Sequence, residues 1–151
     1  MKKFVGRVAI PGEARAHAVV SRYGFNPFAA YARTLAHGNH GAAEAIASDP
    51  QDTDLYGLRI DGRIICCPSA IGSTSAGPTW EFVAARGVAP AALLFSGPVD
   101  TLTAGGLVLA LVWAGRRVPC IGELGAEFLD HVANGSLVAV KPGGVVEVAD
   151  Y

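Results

Sequence analysis

Cysteine is scarce in this 151-residue sequence. There are three, two of them adjacent as Cys66-Cys67. Neighbouring residues of a strand point to opposite faces, so that pair does not readily bridge to itself. An odd, sparse count points to a reducing cytoplasm, and the three thiols read as small buried apolar groups. Charge is also low: charged residues make up 17% of the chain, the net charge is −1, and no basic run is longer than a pair. That composition argues against a nucleic-acid partner. Long hydrophobic runs are missing too. The longest charge-free apolar stretch, Thr101 to Gly115, makes about four turns of helix, too short to span a bilayer. Met1-Lys2-Lys3 leads into a strand pattern rather than the apolar region of a signal peptide, so the expected location is cytoplasmic and off the membrane. Internal repeats, low-complexity tracts and a domain boundary are absent, as are a Gly-Lys-Ser/Thr phosphate loop and a Gly-x-Gly-x-x-Gly fingerprint.

What is present is apolar: hydrophobic residues reach 51%, enough for one domain with a well-buried core. Phe4, Val5, Val8 and Ile10 mark a first strand closed by Pro11-Gly12. Ala14 to Ser21 alternates as a second, and the two together predict a hairpin. Phe25 to Ser48 is Ala-rich with helical spacing, and Gly38 and Gly41 break it into two short helices. Leu58 to Ile65 carries Asp61-Gly62 between two apolar runs, which predicts another hairpin. Beyond Ser75 the pattern alternates. Helix Thr79–Arg86 is stopped by Gly87. Strand Pro90–Phe95 precedes a helix capped by Asp100 or Thr101 and running to Ala114. Strand Arg117–Ile121, a short helix Ala126–Val132 and a closing hairpin of 137–140 with 145–148 follow. Strands first and then β-α-β-α-β predict a single α/β domain over residues 1–151, with a β-barrel-like or sandwich half.

The stretch from Cys67 to Pro78 is the most informative. An apolar strand pattern, Arg63 to Cys67, enters a turn of Gly and hydroxyl residues, Gly72-Ser73-Thr74-Ser75, and a helix follows. Such a turn aims backbone N–H groups outward, as an anionic substrate requires. On local residues alone, Ser73, Thr74 and Ser75 can equally serve only to cap the helix. A serine hydrolase is disfavoured, because the segment is not Gly-x-Ser-x-Gly and only His131 stands late in the chain. His37, His40 and Glu44 have metal-ligand side chains that would share a helical face, but Gly38 and Gly41 interrupt that helix and make a polar loop the competing reading. Arg116-Arg117 reads as a solvated helix end.

Several stretches together resemble the swivel domain, or small subunit, of the aconitase X family. They are Phe4-Val-Gly-Arg-Val8, Pro11-Gly-Glu-Ala14, Ala18-Val-Val-Ser21, Leu55-Tyr-Gly57, Gly62-Arg-Ile-Ile65, Pro68, Gly72-Ser-Thr-Ser75, Ala89 to Leu94 and Gly105 to Pro119. More distantly, Gly72-Ser73 falls where the aconitase swivel domain carries Gly-Ser-Ser-Arg. There the first Ser is the catalytic base and the Arg binds a substrate carboxylate. Ser73 takes the place of the base, and Ser75 stands where the Arg would be. A Phe-Trp-Gly-Gly stretch usual in the family is replaced here by Phe25-Asn-Pro-Phe28 and an Ala-rich segment, Tyr31 to Ser48.

The resemblance implies an aconitase swivelling-domain-like β/β/α architecture with a helical insertion over about 27–48, which would tune substrate choice. It implies a hydro-lyase whose larger catalytic subunit holds iron or an iron–sulfur cluster, with none bound by this chain. The implied substrate is a small hydroxy acid; family members include cis-3-hydroxy-L-proline dehydratases and a phosphomevalonate dehydratase. Ser73 is then the expected proton-abstracting base, with Gly72, Thr74 and Ser75 lining the substrate. The alternative is a non-catalytic regulatory or scaffold subunit whose Ser-rich turn only caps a helix. A further reading, a stand-alone metal hydrolase, would use His37, His40 and Glu44.

Overall fold

The computed structural model describes residues 1–36, 44–72 and 74–150. Eight strands form one sheet in the order β1-β8-β7-β3-β4-β5-β6-β2. The strands are β1 (Lys2–Val5), β2 (Arg7–Ile10), β3 (Ala14–Val20), β4 (Ile64–Cys67), β5 (Ala92–Phe95), β6 (Cys120–Gly122), β7 (Leu137–Lys141) and β8 (Val145–Val148). The helices are α1 (Pro27–Ala36), α2 (Ala76–Ala85), α3 (Thr101–Ala114) and α4 (Ala126–His131).

The sheet has two textures, joined in β3. Ala14 to His17 pair antiparallel with β7, whereas Ala18 to Val20 pair parallel with β4. On one side lie β1, β8, β7 and the first half of β3, all antiparallel. On the other, β3, β4, β5 and β6 run parallel, with β2 added antiparallel at the edge. The parallel strands read as unbroken apolar runs because both their faces are covered. Alternation sorts them: Ile65, Cys67, Leu93 and Phe95 enter the core under α2 and α3, while Ile64, Cys66 and Leu94 enter the opposite core with Phe4, Phe128, Val138 and Val146.

The expected first strand is broken at Gly6. β1 leaves it to pair with β8, and β2 leaves it to pair with β6, so the two edges of the sheet are consecutive in sequence and the eight-stranded sheet nearly closes. A Cβ at Gly6 would sit 2.4 Å from the Gly122 carbonyl oxygen and 2.7 Å from Ile121. The bend therefore has room for glycine alone.

Both sequence-predicted early hairpins are corrected. β2 and β3 are not partners, because each finds a longer-range neighbour. Asp61-Gly62 does turn the chain, but β4 beyond it lies parallel between β3 and β5, and Arg59 bridges antiparallel to Ile46 instead. The closing hairpin of β7 and β8 is present, and Asp100 rather than Thr101 caps α3. α2 begins at Ala76, three residues before the expected start. Within 25–48 one helix, α1, is seen. Glu44 to Ser48 is not helical, and the rest of the expected second helix lies outside the described residues. α2 and α3 pack closely: a Cβ at Gly106 would lie 2.5 Å from the Gly77 carbonyl oxygen and 2.8 Å from the Trp80 ring.

Candidate functional site

The four parallel strands end on the same side, and their following loops meet there. The carboxyl end of a parallel sheet is where α/β folds bind ligands, since the loops are free to vary while the strands hold them. The loops are tied by backbone hydrogen bonds. Ser96 N–H donates to Cys67 O at 3.0 Å, Gly97 N–H to Pro68 O at 3.0 Å, and Glu123 N–H to Gly97 O at 2.8 Å. On the other flank, Phe25 N–H donates to Ser69 O at 3.0 Å and Ile71 N–H to Phe25 O at 2.9 Å. The segment from Pro68 to Ile71 is thus held on both sides before it reaches Gly72.

Gly72 has φ +118°, and a Cβ there would lie 2.8 Å from Asn26 Oδ1. Conformation and space both require glycine at this point. Thr74 and Ser75 are exposed, as is Gly72. Ser73 lies outside the described residues. The sequence-predicted site residues Gly72, Thr74 and Ser75 are therefore together on one exposed turn at the amino end of α2.

Four helices start at this end of the sheet, and they differ in how they start; α4, begun by Gly125 without a side-chain cap, carries Glu127 in its first turn. α1 is capped by Asn26, whose Oδ1 accepts from Ala29 N–H at 3.2 Å. α3 is capped by Asp100, which accepts from Thr103 N–H at 2.9 Å and from Thr103 Oγ1–H at 2.6 Å. α2 is different: Ser75 at its N-cap position makes no side-chain cap, and the first turn carries no acidic residue. The hydrogen bond here runs the other way, from Thr79 Oγ1–H to Ser75 O at 2.9 Å. The reading of Ser75 as a simple side-chain helix cap is corrected on that geometry. The positive end of the α2 dipole faces the turn with no carboxylate of its own first turn to neutralise it.

Behind the turn the support is apolar and rigid. Phe25 stacks on Trp80 with ring centroids 5.9 Å apart, and Tyr31 meets both edge-on. Burial, with the Asp61 charge adding to it, pushes the Tyr31 hydroxyl far up from its ordinary pKa, so it stays protonated. Buried Ser21 accepts from Gly24 N–H at 3.3 Å and donates to Gly24 O at 3.2 Å, fixing the loop after β3. Burial raises the Asp52 carboxyl pKa, offset in part by its hydrogen bond with Ser21.

Sequence reasoning missed two residues at this end of the sheet. Asn26 abuts Gly72, and its signal was legible: an Asn before Pro27 is an N-cap followed by a helix-starting proline. Glu123 sits at φ +56°, the one described non-glycine residue in that region, and its carboxylate faces Arg7 at 4.0 Å. No sequence pattern marks it.

The metal readings find little support. The Glu44 carboxylate lies 3.4 Å from the Arg59 guanidinium, and His37 and His40 lie outside the described residues. Cys66, Cys67 and Cys120 are buried. Burial pushes the Cys120 thiol up to about 12 and moves the other two strongly upward. Such thiols are neutral, and iron needs thiolates. Among the described residues no three His, Cys, Asp or Glu gather as a metal site. This chain's described residues do not fit an iron or iron–sulfur centre. Nor is any described helix long and apolar enough to cross a membrane.

The turn is open. A cleft of about 350 Å³ between α1 and α2 reaches it through Ser75 and is lined further by Phe28, Pro78 and Phe82. A larger cleft lies away from the turn, around Glu13, Arg15 and Lys141 on the antiparallel half. At this turn the chain by itself presents an open surface rather than an enclosed pocket.

Comparison with known proteins places this architecture. A family model described as the aconitase X swivel domain matches residues 3–148. Among solved structures, the holo form of Thermococcus kodakaraensis aconitase X superposes with a TM-score of 0.79 at 21% identity, covering 99% of this chain and all of that one. A UPF0107 protein solved by NMR in solution superposes with a TM-score of 0.75 at 22% identity, with 99% and 100% covered. At those identities the superpositions carry the fold. No curated sequence matches the chain.

Proposed function

The chain belongs to the aconitase X swivel-domain family, and from that premise we propose that it is the small subunit of a hydro-lyase that removes water from a small hydroxy acid. The observation that carries the reading is the exposed group Gly72, Thr74 and Ser75. It stands at the carboxyl end of four parallel strands, in a chain matched almost end to end by the family model. A turn so open needs a second protein to enclose a substrate, and the partner is a larger catalytic subunit.

Dehydration needs a base for the proton on carbon and help for the departing hydroxide. This chain's share is the proton. Ser73 is the proposed base, its oxygen taking the proton as an alkoxide. A serine hydroxyl is a weak base unless its pKa is lowered. The amino end of α2, free of acidic residues in its first turn, favours negative charge beside it. Gly72 lets the backbone approach the substrate closely, and Thr74 and Ser75 offer hydroxyls to it. Since the described thiols are buried and neutral, iron or an iron–sulfur cluster is assigned to the larger subunit. The substrate class includes cis-3-hydroxy-L-proline, a small acid with a leaving hydroxyl.

Co-expression with the larger aconitase X subunit of the same organism, followed by dehydration assays on hydroxyprolines and other hydroxy acids, tests the reading. Activity that needs both chains is the expected result. Full activity of the larger chain alone would overturn it in favour of a regulatory or scaffold role.

A further inference from the structure

Eleven glycines among the described residues have positive φ, and Glu123, at +56°, is the one other residue that does. A side chain is thus kept where glycine would carry no strain. The surroundings hold it there. Glu123 N–H donates to Gly97 O at 2.8 Å, Leu124 N–H to Phe95 O at 3.2 Å and Gly125 N–H to Ser96 O at 3.0 Å. A Cβ at Gly122, just before it, would lie 2.7 Å from Val99, which fixes the approach to it. The carboxylate so aimed meets Arg7, which pairs opposite Gly122 in the ladder of β2 and β6. The two charges are 4.0 Å apart, and the Glu123 and Arg7 side chains stay 49% and 83% exposed. An exposed pair at that separation contributes less than a left-handed non-glycine residue costs. Strain that the local contacts do not repay points to function.

Arg7 and Glu123 line a cleft of about 320 Å³, with Val8, Pro98, Val99 and Ala104 among its walls. It lies at the carboxyl end of β5 and β6, one loop along from the segment that leads to Gly72. Gly97 joins the two, accepting from Glu123 N–H at 2.8 Å and donating to Pro68 O at 3.0 Å. We propose that this cleft binds the charged head of a small zwitterion, an α-amino or cyclic imino acid, with its carboxylate on Arg7 and its ammonium on Glu123. The charges choose this ligand. A guanidinium offers a fork of donors to a carboxylate, and an ionised carboxylate accepts from an ammonium. In an α-amino acid both groups hang on one carbon, close enough to meet two protein charges 4.0 Å apart at once. The four charges then alternate in sign. A plain anion would gain Arg7 but face Glu123, and a plain amine would gain Glu123 but face Arg7, so each is selected against. A volume at the small end of ligand sites suits such a molecule, and Val8, Pro98 and Val99 give its carbon skeleton an apolar wall. Binding is a property of this chain alone. That the ligand is the molecule dehydrated at the turn rests on the hydro-lyase reading above, and it narrows the hydroxy acid to one carrying an ammonium.

Two-dimensional NMR of the full, isotope-labelled chain, titrated with L-proline, tests the binding. The amides of Arg7, Gly122 and Glu123 should shift saturably. Tetrahydrofuran-2-carboxylate has the same ring with an ether in place of the ammonium, and pyrrolidine lacks the carboxylate. Each should bind about threefold or more weaker than L-proline, the size of one exposed ion pair. Arg7→Gln and Glu123→Gln alter exposed side chains and should keep the parent fold. Arg7→Gln should lose the preference over pyrrolidine, and Glu123→Gln the preference over tetrahydrofuran-2-carboxylate. No saturable shift at these residues, or a preference below about threefold in the parent, would overturn the site. In the two-subunit enzyme the same substitutions should raise KM for cis-3-hydroxy-L-proline about threefold or more rather than lower kcat. A smaller rise in both, with L-proline still bound by the parent chain, would detach the cleft from the reaction and overturn that link. An inactive pair of subunits would overturn the hydro-lyase reading and leave the binding result standing.

Discussion

Asn26 occupies the space that any side chain at Gly72 would need: its Oδ1 lies 2.8 Å from that Cβ position and at the same time caps α1 by accepting the Ala29 N–H. One amide thus joins the start of α1 to the turn that opens α2. The turn's geometry is set by a residue 46 positions earlier in the chain, and that contact can be tested.

Gly72→Ala should fold, because the turn is exposed, but it must move the turn: the added Cβ meets Asn26 at a φ of +118°. Misplacement by about 1 Å is worth on the order of 10²-fold in rate. The assembled enzyme should lose activity on that scale with unchanged circular dichroism. Asn26→Ala should instead lower stability by about 0.5–2 kcal/mol, through the lost cap, in urea denaturation. Full activity in Gly72→Ala would show that the turn does not contribute to the site.

Ser73→Ala tests the proposed base directly. A positioned acid or base contributes about 10²–10⁴-fold to rate, so kcat of the two-subunit enzyme should fall by at least that lower figure while subunit association and iron content hold. Ser75→Ala is the comparison, and a substrate contact there would chiefly raise KM. A Ser73→Ala enzyme retaining more than about a tenth of the parent kcat would remove Ser73 from the chemistry.

Gly6 closes the barrel. Its N–H donates to Gly144 O at 2.9 Å, and its Cα faces the Gly122 carbonyl with no space for a methyl group. Overpacking of this kind costs about 1–3 kcal/mol. Gly6→Ala should show that loss in urea denaturation. Gly57→Ala is the control. Unlike Gly6 it has a positive φ, +83°, with open space around the added Cβ, so its loss comes from conformation alone and should be about 1 kcal/mol.

Asp61 makes stability depend on pH in the acid range. Burial would raise its pKa, but hydrogen bonds from Arg59 and the Ala45 N–H outweigh burial and hold it below the ordinary carboxylate value. The unfolded chain then binds the proton more readily than the folded one. The stabilisation is present above the ordinary carboxylate value of about 3.9 and fades as pH falls through the lower folded value. Asp61→Asn should lessen the drop in melting temperature below about pH 4 while lowering stability at pH 7. An identical acid-side profile in the variant would rule out this origin.

Much of the architecture is local and therefore legible in the sequence. Alternation at 137–140 and 145–148 specified a hairpin because its strands are adjacent and joined by a short Gly-rich turn. Asp100 announced α3 because a cap acts on its own first turn. The apolar runs at β4 and β5 announced buried strands, since only strands covered on both faces dispense with polar alternation. Gly72, Thr74 and Ser75 could be named as a unit because they share one turn. What the sequence could not determine is which strand lies beside which. β2 and β3 follow each other and looked like a hairpin, but pairing is decided by cross-strand packing between segments over a hundred residues apart, as β2 with β6 and β3 with β7. The same holds at the site. Alternation placed Cys66 and Cys67 on opposite faces, but the tertiary structure alone made both faces cores. It alone brought Asn26 against Gly72, placed Glu123 beside Gly97, and left one side of α3 uncovered, because each is a contact, or the lack of one, between elements distant in the chain.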